Sequence, residues 1–187
     1  MAKFFFDKVK LTSDEQAKQM WGRLLAAEVN EPHTISRSLI HCLSIMSKKD
    51  LQDFHNITRF CFIEKNNKHY AHPAIFITKN KEAYYNSRID TTIIMKLSRL
   101  GLLEYNWNDE FVFFNKSKSF TFGNRKIEII SDFIKKGIIE FGNVRFTEDG
   151  IKLYEVAEKI YNYEILDFII RKLKNKGYII HLNENLC

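Results

Sequence analysis

The sequence predicts an α+β fold in which helices come first and an antiparallel sheet follows. Between residues 13 and 61 apolar side chains recur every three to four positions, the helical period. Between residues 102 and 146 they fall in short runs rich in Phe, Ile, Val and Tyr, punctuated by polar dipeptides, which is the pattern of strands and turns. The 187 residues, 45% hydrophobic and 28% charged, suffice for a buried core in one domain or two closely packed halves.

The elements follow in order. Ser13 begins S-D-E-Q, the form of a capping box with Gln16, ahead of a helix whose stripe is Ala17, Met20, Trp21, Leu24 and Leu25. Pro32 ends that helix. Thr34 is expected to cap a second helix carrying Ile35, Leu39, Leu43 and Met46, and Ser47 with Asp50 to open a third through Leu51, Phe54, Ile57 and Cys61. These make an N-terminal three-helix subdomain, assigned to residues 1–80. Its last stretch is polar except for A-I-F-I, which suits a strand or a buried extended segment, and it makes a plausible hinge.

Residues 81–187 form the second subdomain. Asp90 caps TTIIMKLSRL, with Ile93, Ile94, Leu97 and Leu100 facing inward, Lys96 and Arg99 outward, and Gly101 as the stop. Strands are expected at LLEYNW, EFVFFN, SFTFG and KIEII, then at IIEF and VRFT, the last two joined by Gly142-Asn143 as a tight hairpin. Thr147 caps the next helix, and Gly150 stands where a side chain would crowd a neighbouring strand. Two closing helices break near Asn162 and end at Gly177, and YIIHL forms the last strand.

The helix, glycine and strand of LSRLGLLE, with the later FTEDGIKL, resemble the grammar of winged-helix regulators, in which the helix before the glycine reads the major groove and the strands form the wing. The second subdomain is thus winged-helix-like, with an enlarged antiparallel sheet, because residues 102–146 have room for four or more strands. Base readout by Thr92, Lys96 and Arg99 is thin. Phosphate contact is easier to build from Lys116, Lys118, Arg125 and Lys126, interleaved with Phe120 and Phe122, and Arg171, Lys172, Lys174 and Lys176 crowd a helix end. The same cations also suit a solvated strand edge and a helix C-terminus. Formal charge of +6 favours contact with anions without requiring it.

Chemistry-bearing motifs are few. Cys61, His69 and His72 are the one metal constellation, but no paired knuckle or closely spaced fourth ligand accompanies them, so no metal is expected. His41 and Cys42 are adjacent on a helix and point apart. The sequence shows no Gly-rich phosphate loop, G-x-S-x-G elbow or H-E-x-x-H, so neither a cofactor nor catalysis is expected. Glu28, the one charge on the first helix's apolar stripe, is expected to form a structural ion pair with Arg37 across the Pro32 turn. Phe4, Phe5 and Phe6 are sticky enough either to pack on the body or to bind a partner. Three cysteines at irregular spacing fit reduced thiols in a cytoplasm, and no apolar run reaches the length of a membrane span.

WGRLLAAEVNEPHTISRSL, at residues 21–39, together with SDEQ, LSRLGLL and FTEDGIKL, resembles the uncharacterised bacterial domain-of-unknown-function family numbered 2806. His33 stands where that family more usually has glycine. The resemblance implies no catalytic residues, and a role in phage defence or in a toxin–antitoxin-like system follows from it only by association. The expected function is a non-enzymatic protein-interaction or regulatory module that self-associates or binds a protein partner. The alternative is a nucleic-acid-binding protein using Lys96, Arg99, Lys116, Lys118, Arg125 and Lys126.

Overall fold

A computed structural model describes residues 15–64, 70–76, 89–131 and 136–184. The expected cap at Ser13, the aromatic run Phe4 to Phe6, His69 and most of the expected hinge lie outside these residues. Helix α1 (Glu15–Asn30) buries Ala17, Trp21 and Leu24, and Met20 and Leu25 pack on the same core, so its apolar stripe is the face that meets the rest of the molecule.

Helix α2 (Arg37–Ile45) is capped by Ser36, whose side chain accepts from the Leu39 amide at 2.9 Å, and not by Thr34. The Thr34 hydroxyl instead donates to the Glu31 carbonyl at 2.9 Å, which commits it to the turn. Helix α3 (Lys48–Thr58) opens with the Ser47–Asp50 capping box. It stops short of Cys61, which begins strand β1 (Cys61–Glu64). Strand β2 (Ala71–Pro73) pairs with β1, and Ala74, Ile75 and Phe76 continue as buried chain.

Helix α4 (Thr91–Arg99) is capped by Asp90 and released by Gly101 at φ 76°. Six strands follow: β3 (Leu103–Tyr105), β4 (Val112–Phe114), β5 (Ser117–Phe122), β6 (Arg125–Ile130), β7 (Ile138–Glu140) and β8 (Val144–Phe146). Their pairing is nested: β5 with β6, β4 with β7 and β3 with β8, all antiparallel. Residues 103–146 are therefore one long interrupted hairpin with its tip at Gly123-Asn124. Helix α5 (Glu148–Val156), helix α6 (Tyr163–Asn175) and strand β9 (Ile179–Glu184) complete the order.

The hairpin tip recruits distant strands into a five-stranded sheet of order β2-β1-β5-β6-β9. Strands from before residue 80 and from the last residues thus lie in one sheet. Phe62, Phe120, Phe122, Ile127 and Ile129 are buried on one sheet face, where Phe122 meets Tyr161 and Tyr163 at the start of α6. Ser119, Thr121, Lys126 and Glu128 alternate onto the other face and are partly exposed, as expected of an antiparallel sheet covered on one side.

The expected hairpin at Gly142-Asn143 does not form, because β7 and β8 pair outward with β4 and β3 rather than with each other. Gly142, at φ 81°, lies against the Ile75 backbone, where an added Cβ would sit 2.6 Å from the carbonyl oxygen. Asn143 donates its amide to that carbonyl at 2.8 Å and its side chain to the Asn106 and Asp109 carbonyls at 3.1 Å each. The dipeptide is a crossing point between two chain segments. Gly150 does meet the expected crowding, since a Cβ there would come within 2.0 Å of the Leu102 carbonyl oxygen. Among the described residues no helix is long and apolar enough to cross a membrane.

Candidate interaction surface

Strand β4 alternates between core and solvent. Phe113 turns inward and meets His72, Phe120 and Phe141 at ring-centroid distances of 4.9, 5.7 and 5.8 Å. Val112 and Phe114 turn outward and are 40% and 78% exposed. Across the ladder Phe114 faces Ile138 and Val112 faces Glu140, so the outer face of the β4–β7 ribbon carries an apolar rung beside a mixed one. An exposed aromatic ring on regular structure is costly to leave in water, by about 2 kcal/mol against full burial.

The ends of this ribbon differ in charge. At one end the Lys176 ammonium binds Glu110 and lies 3.7 Å from Glu140, and the Tyr178 hydroxyl accepts from the Glu140 amide at 2.8 Å. At the other end Lys116 and Lys136 are both exposed, and the would-be Cβ of Gly137 lies 3.5 Å from Lys116 Cγ, so Lys116 stands beside the turn that carries Lys136 and Gly137. Lys136 adopts φ 51°, a left-handed conformation rare outside glycine and asparagine, immediately before Gly137 at φ 77°.

Several ionisable side chains elsewhere turn to partners within the chain. Glu28 does not pair with Arg37. Its carboxylate accepts from the His33 amide at 2.9 Å and the Ile35 amide at 3.0 Å, and the His33 bond leads in holding it below the usual carboxylate range. The chain reverses so tightly at His33 that two amides reach the carboxylate, while Arg37 stays exposed. Burial alone would raise Asp50, but hydrogen bonds from Lys96 and Ser47 outweigh it and hold that carboxyl low. Glu64 binds Lys118 at 3.0 Å and lies 3.5 Å from His72 Nε2. Burial among Phe113, Phe120 and Phe141 pushes the His72 imidazole down to about 4, against the opposing pull of Glu64. Cys61 and His72 project to opposite faces of their ladder, because Phe62 is the partner of His72.

The six cations of the nucleic-acid alternative occupy different environments. Lys96 forms an ion pair with buried Asp50, joining α4 to the start of α3. Lys118 is bound to Glu64 and lies 4.1 Å over the Phe113 ring, and Arg125 lies 4.5 Å over Tyr163. Arg99 and Lys116 are exposed, and Lys126 alternates to the opposite sheet face from Arg125. The outward Phe114 went unassigned in the sequence because EFVFFN is apolar at consecutive positions, which masks the alternation that would orient it.

A family model described as "Protein of unknown function (DUF2806)" matches residues 2–169. No curated protein and no solved structure matches the chain.

Proposed function

The chain belongs to the DUF2806 family of proteins of unknown function, and from that premise we propose that it is a non-enzymatic interaction module, one component of a larger regulatory or defence assembly. It docks a protein partner on the outer face of the β4–β7 ribbon. The observation that carries this reading is Phe114, 78% exposed on a paired strand beside Ile138. Aromatic side chains are enriched among the residues that anchor protein interfaces. The satisfied state of Glu28, Asp50 and Glu64 supports a structural role for these carboxylates over an acid–base one.

Photocrosslinking tests the reading. A benzophenone side chain in place of Phe114, irradiated in the native cell, captures one discrete protein, and the same group at exposed Arg37 does not. Capture of nucleic acid alone, or equal capture from both positions, tells against it. The nucleic-acid alternative has its own measurement, since phosphate contacts weaken steeply as salt rises.

A further inference from the structure

We infer that the ribbon face takes an acidic, apolar-anchored peptide segment, in which an aliphatic or aromatic side chain covers Phe114 and Ile138 while neighbouring carboxylates bind Lys116 and Lys136. This rests on the proposed docking role of the ribbon and names its partner's chemistry.

Charge complementarity is the ground for that choice. Lys116 and Lys136 are exposed cations at the same end of the ribbon, and neither has an anionic partner among the described residues. An acidic segment laid along that end gains from complementary charge, which favours it over neutral or basic competitors. At the opposite end the Glu140 carboxylate is already met by Lys176 at 3.7 Å and by the Tyr178 hydroxyl at 3.4 Å, which leaves the lysine end as the one whose cations have no anionic partner among the described residues.

The backbone adds a second observation. Lys136 keeps a left-handed conformation in a turn where asparagine or glycine would be less strained, and strain of this kind persists where surrounding structure or function holds it. The surface also favours peptide over nucleic acid. Two lysines form a short track for a phosphate backbone, and Val112 and Ile138 flank the ring with aliphatic groups that suit a side chain better than a base.

Selection of random twelve-residue peptides displayed on phage, using the intact chain as bait, tests the inference. The enriched peptides are expected to carry Asp or Glu beside a large apolar residue. In fluorescence anisotropy their affinity falls at least about tenfold for Lys116→Glu/Lys136→Glu and again for Phe114→Ala. Both variants are expected to keep the parent's circular dichroism and melting temperature, because all three side chains are exposed. Peptides without acidic excess, or peptides bound equally by the double variant, overturn the inference. If Phe114→Ala still loses those peptides, the docking role of the ribbon survives. Failure to enrich any peptide, or displacement of the peptides by a dT20 oligonucleotide at physiological salt, overturns both.

Discussion

His33 and Gly150 show how much a single backbone position decides here. His33 holds φ 71° at the reversal between α1 and α2, where its amide reaches Glu28. A Cβ in the left-handed region costs roughly 1–2 kcal/mol, and the extra freedom glycine gives the unfolded chain offsets about half of that. His33→Gly is therefore expected to raise stability by about 0.5–1 kcal/mol in urea unfolding, and His33→Val to lower it. Gly150 is the reverse case. Its missing side chain lets α5 approach the Leu102 carbonyl, so Gly150→Ala forces two elements apart and is expected to cost about 3 kcal/mol or more by the same measurement. Gly150 could be read from its motif, whereas the Glu28 partner could not. Two backbone amides brought round by a tight turn leave no mark in the sequence that outranks a nearby arginine.

At the scale of elements, caps and ladders carry most of the joints. Asp50 closes the cap of α3 and pairs with Lys96 of α4, so one carboxylate joins two helices. Asp50→Ala removes the N3 half of the capping box and the partner of Lys96, and is expected to cost at least about 1 kcal/mol in urea unfolding. Because its folded pKa is depressed, the stability Asp50 contributes is present above the ordinary carboxylate pKa and disappears as pH falls through the lower folded value.

His72 joins β2 to the β4–β7 ribbon through Phe113, and its titration acts at higher pH. Its folded pKa, about 4, lies below the unfolded value near 6.5, so acidification protonates the unfolded chain first. Stability is lost as pH falls from about 6.5 towards 4. His72→Phe is expected to flatten that part of the melting-temperature profile, and an unchanged slope would remove His72 as its source.

The whole molecule is held by one long hairpin that pairs with strands both before and after it in the chain. Two Gly-Asn dipeptides show why this pairing was hard to read. Gly123-Asn124 is the hairpin tip, with Gly123 at φ 61° between the Phe122–Arg125 partners. Gly142-Asn143 has the same composition, yet it lies at a crossing against Ile75. Gly142→Ala is expected to force the Ile75 backbone away at this crossing and unfold the chain cooperatively, detectable as simultaneous loss of helix and sheet signals. Phe114→Ser, by contrast, is expected to leave stability within about 0.5 kcal/mol and to raise solubility, as checked by urea unfolding and light scattering.

Sequence alone determined the succession of helices and strands apart from β1, the caps at Ser47, Asp90 and Thr147, the helix break near Asn162, the buried stripes, and the family to which the chain belongs. Each of these depends on contacts within a few residues or on a periodicity that neighbouring residues share. Tertiary structure alone decided which strand pairs with which, that Lys96, Lys118 and Arg125 are engaged within the fold, and that Phe114 faces outward. Those outcomes depend on which distant segment is adjacent, and the free energy that selects it comes from burying surfaces contributed by residues far apart in the chain.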